Sequence, residues 1–181
     1  MKLHLVRHPQ PAVAPGLCYG ATDVDVVQEE LDRVHAMLNG SRLPACLPVH
    51  TSPLKRCVRL ARRLAGENLR MDARLAEMDF GAWEMRAWSV IPRQEVDAWA
   101  ADLLHYRPGG AESVLDVARR VAGFVDALRK DAVDEALVIC HAGTIRLLSS
   151  MRPGRTLEQA ALEAAATPHR IGYGDILTLE I

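Results

Sequence analysis

Apolar positions open the chain as a short β-prone cluster, Leu3, Leu5 and Val6, which Pro9 and Pro11 bring to a stop. The cluster predicts a first strand over residues 2–7, ending in Arg7-His8. Pro9 biases His8 towards extended backbone, so its imidazole should project past the strand's carboxyl end, where open α/β sheets bind ligands. The loop that follows, Pro9 to Val27, holds three prolines and two glycines. A loop of that length is usually functional or mobile. Residues 29–38 then place Leu31, Val34, His35 and Leu38 on one helical face. A second strand is expected near residues 47–51. After it, Ser52-Pro53 has the chemistry of a helix start, serine as N-cap and proline at the first helical position. The helix it opens carries Leu54, Cys57, Val58, Ala61, Leu64 and Ala65 at helical spacing and stops at Gly66.

Residues 69–74 read as a third strand. From 77 to 106 the pattern keeps no steady period, and this stretch holds all three tryptophans, Trp83, Trp88 and Trp99. Within it Pro92 can start a helix bearing Val96, Trp99, Ala100, Leu103 and Leu104 on one side. With the break at Pro108-Gly109-Gly110, residues 77–110 are expected to form a lid-like excursion over the sheet's rim. Ser113 caps a helix with Val114, Val117, Val121, Phe124, Val125 and Leu128 inward. The apolar run 136–140 suits a strand buried on both faces. It ends at His141-Ala142-Gly143-Thr144, where another helix begins. Thr156 and Gln159 form a capping box, and residues 175–181 close the chain as a strand. Strands alternating with helices predict one α/β domain over residues 1–181 with a mainly parallel sheet.

Composition narrows the function classes. With 22 basic and 23 acidic residues the formal charge is -1, so nothing global recruits nucleic acid or an anionic membrane. Any anion site must be local. The four cysteines, at positions 18, 46, 57 and 140, show no Cys-x-x-Cys and no zinc-like spacing. Cys57 and Cys140 fall within apolar patterns and read as buried thiols of a reducing compartment. The N-terminus runs straight into a strand, and no apolar stretch approaches the roughly 20 residues of a membrane span. The expectation is a cytoplasmic protein with no membrane and no metal. Oligomeric state is left open.

Three strand-to-helix junctions each put a cation or an imidazole at a strand's exit: Arg7-His8, Ser52-Pro53-Leu54-Lys55-Arg56 and His141-Ala142-Gly143. Arg56 falls in the first turn of its helix, where the macrodipole disfavours a cation by about 0.3–1 kcal/mol. A bound anion would offset that cost and accept from the helix N–H groups. Ala142 and Gly143 allow close backbone approach at a second helix N-terminus. Glu77 lies in a stretch with Asp79 and Glu84, and spacing alone does not choose among these carboxylates. Two arginines, two imidazoles and a carboxylate suit phosphoryl transfer without a metal, because that chemistry is mostly positioning and electrostatic stabilisation.

Four blocks, Leu5-Val6-Arg7-His8, Ser52 to Cys57, Leu75 to Glu84 and Cys140-His141-Ala142-Gly143, resemble the histidine phosphatase superfamily in order and span nearly the whole chain. The resemblance implies a three-layer α/β sandwich of the phosphoglycerate mutase-like kind. It implies that His8 is the nucleophile that becomes a phosphohistidine. By the same carry-over Arg7, Arg56 and His141, with the Ala142 backbone, hold the phosphoryl group. Glu77 protonates the leaving oxygen and later activates water. Glu84 and Tyr19 are secondary, substrate-binding candidates. No cofactor is implied, and the partner is a small phosphomonoester.

Gly16 to Asp23 and Pro108 to Ser113 look closest to small alpha-ribazole phosphatase-like members, which remove phosphate from a nucleotide-loop precursor of cobalamin. A mutase and a catalytically silent phosphate-ligand sensor are the alternatives. Two departures stand out. Pro9 replaces the family's usual glycine and removes an N–H, and Ala12, Val13 and Ala14 stand where an asparagine is frequent. Gln10 is the expected substitute donor. With His8 attacking as a neutral base and Glu77 starting protonated, the expected pH profile is a bell.

Overall fold

The computed structural model describes residues 1–44, 46–66, 68–168 and 170–181. Five strands, β1 (Lys2–Arg7), β2 (Val49–Thr51), β3 (Leu69–Met71), β4 (Glu135–Cys140) and β5 (Ile176–Glu180), make one sheet in the order β3-β2-β4-β1-β5. β1 pairs parallel with β4, and β2 parallel with both β4 and β3. Only β5 runs antiparallel, along the far edge of β1.

Among the described residues six α-helices accompany the strands: α1 (Gln28–Asn39), α2 (Lys55–Ala65), α3 (Arg93–Ala101), α4 (Val114–Lys130), α5 (Ala142–Ser150) and α6 (Leu157–Ala166). Strand alternation divides the core into two layers. Leu3 and Leu5 of β1, with Ala136, Val138 and Cys140 of β4, face α4, α5 and α6. Val6, Leu137 and Ile139 face the opposite way, onto α1 and α2. Both faces of the central strands are therefore covered, which is why their apolar runs are continuous. This is the expected three-layer α/β sandwich.

Local signals account for most boundaries. Ser113 and Thr156 each cap their helix through a reciprocal box, with Asp116 and Gln159 as third-position partners. Gly66, at φ 59°, ends α2. Two expectations need correction. The third strand is only residues 69–71, because Asp72 caps a 3-10 turn over Ala73–Leu75. The second helix starts at Lys55 with Leu54 as its N-cap residue, not at Pro53 with Ser52 as cap. The Ser52 hydroxyl has another partner, described below.

Residues 77–110 leave the sheet and build a separate small apolar cluster. Trp83, Cys18 and Ile91 form its buried centre, with Phe80, Val96, Trp99 and Tyr106 packed around it. The long loop 9–27 is knitted into this excursion. Leu17 bridges Ala87, Cys18 N–H donates to the Arg86 carbonyl, and Met85 N–H donates back to Cys18.

Candidate active site

The site grows out of sheet register. Arg7 lies opposite Cys140, so His8 and His141 leave adjacent parallel strands side by side. His8 N–H donates to the Cys140 carbonyl at 3.0 Å, and the two imidazole centroids are 5.0 Å apart. Thr51 lies opposite Ile139, which brings Ser52 to the same rim. The Ser52 hydroxyl sits 2.8 Å from His141 Nε2. The same oxygen also accepts from Leu54 N–H at 3.4 Å, where the chain turns into α2, whose first helical residue is Lys55.

His8 is buried, and its Nδ1 lies 2.7 Å from the Pro9 carbonyl oxygen. A carbonyl can only accept, so Nδ1 carries the proton and Nε2 keeps its lone pair. Burial, then the Arg56 charge, holds the His8 pKa down at about 3, and Arg7 adds to the effect against the Pro9 bond. The ring is thus a neutral base with a defined free nitrogen.

Arg56 is fully buried, and all three guanidinium nitrogens are engaged. Its Nη2 donates to the Gly20 carbonyl at 2.5 Å, its Nη1 to Thr22 at 2.8 Å, and its Nε to His141 Nδ1 at 3.3 Å. The carbonyl bonds offset the dipole penalty of a cation in the first turn of α2. Arg7 donates through Nη1 to the Ile171 carbonyl and lies 4.0 Å over the Tyr173 ring, while its buried Nε has no partner.

His141 is less exposed to ligand than expected. It is wholly buried, with Nδ1 accepting from Arg56 and Nε2 directed at Ser52. Burial, then the charges of His8 and Arg56, holds its pKa well below the ordinary imidazole range. In this state it props Arg56 and backs His8. Direct contact with a phosphoryl oxygen requires one of those two bonds to be exchanged.

A cavity of about 500 Å³ opens beside these groups, bordered by Arg7, His8, Arg56, Tyr19 and, across from them, Glu77. Glu77 accepts from Gly143 N–H through Oε2 and from Met78 N–H through Oε1, both at 3.1 Å. Glycine at 143 lets the carboxylate come this close, since a Cβ there would lie 2.4 Å from Glu77 Oε1 and push it aside. Behind it, Arg120 of α4 donates to the carbonyls of Arg74, Ala76 and Glu77 and pairs with Glu112, fixing the backbone that carries the acid. Ala142, at the start of α5, also borders the cavity. The outer wall is apolar and aromatic, with Phe80, Trp88 and Trp99. The Trp88 and Trp99 rings lie parallel within 8°, and Phe80 meets both edge-on.

Two expected ligand contacts are absent from the cavity wall. Gln10 is exposed, and its carbonyl accepts from Val27 N–H as part of the loop's own pairing. Glu84 points away from the cavity and binds the loop. Its carboxylate accepts from the N–H groups of Gly20, Ala21, Thr22 and Phe80 and from the Thr22 hydroxyl. Burial pushes this carboxyl up, but those donors outweigh it and hold its pKa below the usual value. Glu84 therefore fixes the carbonyls of Gly20 and Thr22 that grip Arg56. Sequence reasoning overlooked Tyr173, Ser52 and Arg120, because each acts over a separation of residues that no local pattern spans.

Residues 3–167 match the model of the histidine phosphatase superfamily, branch 1. The chain is 27% identical over 169 residues to the adenosylcobalamin/alpha-ribazole phosphatase of Escherichia coli, covering 87% of this chain and 82% of that protein. The crystal structure of the alpha-ribazole phosphatase from Shigella flexneri superposes with a TM-score of 0.83 over 100% of this chain and 91% of that one; at 23% identity it speaks for the fold. A phosphoglycerate mutase from Thermus thermophilus superposes with a TM-score of 0.72 at 26% identity, covering 99% and 93% of the two chains. On the family match across most of its length, the chain belongs to the histidine phosphatase superfamily, branch 1, and is an enzyme of that family.

Proposed function

We propose that this chain hydrolyses small phosphate monoesters by double displacement at His8. The observation that carries the reading is the Nδ1 bond to Pro9, which leaves a neutral Nε2 lone pair beside buried Arg56, half-buried Arg7 and a carboxyl-bearing cavity wall. In the first step Nε2 bonds to phosphorus as the bond to the ester oxygen breaks, and Glu77 gives its proton to that oxygen. In the second, water attacks phosphorus, its proton passes to Glu77, and the N–P bond breaks to release inorganic phosphate. Arg7 and Arg56 balance the charge on the phosphoryl oxygens throughout. The reading needs no metal: the nucleophile, acid and charge are all supplied by side chains.

The substrate we favour is alpha-ribazole 5'-phosphate. Supporting it are the named activity of the Escherichia coli relative and the aromatic wall of Phe80, Trp88 and Trp99, on which a planar base would stack. Residues 77–110 then act as the lid, carrying that wall over the phosphate end. A cytoplasmic setting suits the four free thiols. The test is a panel of alpha-ribazole 5'-phosphate, phosphoserine and 3-phosphoglycerate, following both phosphate release and phosphoglycerate interconversion. Preference for the ribazole ester supports the assignment. Interconversion outrunning release would make the enzyme a mutase, and phosphate binding with no turnover would make it a sensor.

A further inference from the structure

Once Gly20, Thr22 and His141 have taken bonds from Arg56, three of its five N–H groups are spent. Each Arg56 nitrogen already donates to the protein. Gly143 N–H is committed to Glu77, Pro9 has no N–H, and Ala12, Val13 and Ala14 carry no side-chain donor. Beside the second N–H of each Arg56 Nη and the unpartnered Nε of Arg7, one neutral polar pair at this end has a hydrogen to spare. Tyr19, from the long loop, and Tyr173, from the turn before β5, meet hydroxyl to hydroxyl at 3.0 Å. Their rings lie against the catalytic side chains: Arg7 stacks 4.0 Å over Tyr173, Arg56 lies 5.6 Å over Tyr19, and His8 packs 5.6 Å from Tyr173.

Only one of two paired hydroxyls donates to the other, so one O–H remains free. Tyr19 borders the cavity. We propose that Tyr173 donates to Tyr19 and Tyr19 donates to a phosphoryl oxygen, a two-tyrosine relay in which the Tyr173 ring also holds Arg7 in place. The proposal rests on the phosphatase reading of the same cavity. Tyr19 is the substrate-contacting member, and Tyr173 is a positioning residue that acts through Tyr19 and Arg7. Burial raises the Tyr19 pKa well above that of an ordinary phenol, so it stays protonated and able to donate. A donor chain that polarises in sequence strengthens the last bond to the anion.

The experiment is a double-mutant cycle of Tyr19→Phe, Tyr173→Phe and the pair. It is read by calorimetric binding of inorganic phosphate and by kcat and KM for an aryl phosphate. Both substitutions keep the rings, so Arg7 stays stacked. Tyr19→Phe should weaken phosphate binding and kcat/KM by about 10- to 100-fold, the range for a hydrogen bond to a charged group. Tyr173→Phe should cost less, and adding it to Tyr19→Phe should cost nothing further. Tyr173→Leu, which removes the ring face, should lose more than Tyr173→Phe and should show it in phosphate affinity.

Additive effects of the two phenylalanine substitutions, or phosphate affinity within twofold of wild type for Tyr19→Phe, would overturn the relay. Phosphate binding is read independently of turnover. A wild type that binds phosphate without hydrolysing ester would therefore refute the phosphatase reading while leaving the relay to its own result. A wild type that does not bind phosphate would overturn both.

Discussion

The Nδ1 atom of His8 lies 2.7 Å from the carbonyl oxygen of Pro9, and this bond decides which nitrogen of the nucleophile is free. The replacement of glycine by proline at position 9 thus removes an N–H but keeps the carbonyl that orients the ring. The phosphoenzyme is expected to carry its phosphoryl group on Nε2. Phosphorus–nitrogen coupling by NMR in uniformly labelled protein distinguishes the two isomers, and a group found on Nδ1 would show that the ring turns over before attack.

Acid affects this site through its imidazoles. With its pKa near 3 in the folded chain against an ordinary 6.5, His8 stays neutral over the whole physiological range, and His141 is shifted the same way by burial. The acid limb of the expected bell therefore does not come from His8 near 6.5. Ring resonances of His8 should not titrate between pH 7.5 and about 5, and those of His141 should titrate well below the ordinary imidazole range. Because the unfolded chain takes up its proton first, the His8 linkage contribution is fully present above 6.5 and falls away as pH drops from 6.5 towards 3, and the His141 contribution has the same sign. Stability measured by urea should decline over that window, and less steeply in His8→Gln. A midpoint near 6.5 for either ring would contradict the burial argument.

Gly143 and Gly123 make a matched pair. A methyl at 143 meets Glu77 Oε1 at 2.4 Å, whereas at 123, inside α4, its nearest neighbour is Arg74 Cδ at 3.9 Å. Gly143→Ala should displace the acid and lower kcat by about 10²–10⁴-fold, the usual range for general acid–base catalysis. Gly123→Ala should keep activity and add about 0.4–1 kcal/mol of stability. Steady-state kinetics and thermal melts of the two variants check both halves.

Glu84 is expected to matter for the loop and not for the chemical step. Glu84→Gln replaces an acceptor of five hydrogen bonds by an amide that presents two donors of its own. A loss of about 1–3 kcal/mol is expected at neutral pH. The depressed carboxyl contributes fully above its ordinary 4.5, so the gap between wild type and variant should narrow as pH falls below that value. KM should rise more than kcat falls, since Arg56 loses the support of Gly20 and Thr22. An unchanged melting temperature would show that the loop is held by other contacts.

The contrast between Arg56 and Glu84 shows what the sequence could and could not reveal. Arg56 was legible because it breaks a local rule, a cation in the first turn of a helix, and such a violation asks for a partner. The strand ends at Arg7 and Cys140 were legible because apolar runs stop there at Pro9 and at His141-Ala142-Gly143. The two capping boxes were legible for the same local reason. Glu84 and Gln10 were misplaced because carboxylate and amide side chains bond over whatever the fold brings near, and their separation along the chain says nothing of that. Ser52 looked like a helix cap by local chemistry; its hydroxyl does accept from Leu54 N–H but also bonds His141, a partner no local pattern announces. Tyr173 left no signal: a lone tyrosine near the C-terminus acquires meaning only when β5 folds back along β1.

The central claim, covalent catalysis at His8, is tested most directly by trapping. Wild type and His8→Ala would be mixed with para-nitrophenyl phosphate in the presence of a chelator, quenched in alkali, and digested for peptide mass analysis. The account predicts one phosphoryl group on the peptide containing His8 in the wild type, with chelator-resistant release of nitrophenol. In His8→Ala it predicts neither adduct nor release. Undiminished release by His8→Ala, or turnover that the chelator abolishes, would contradict it.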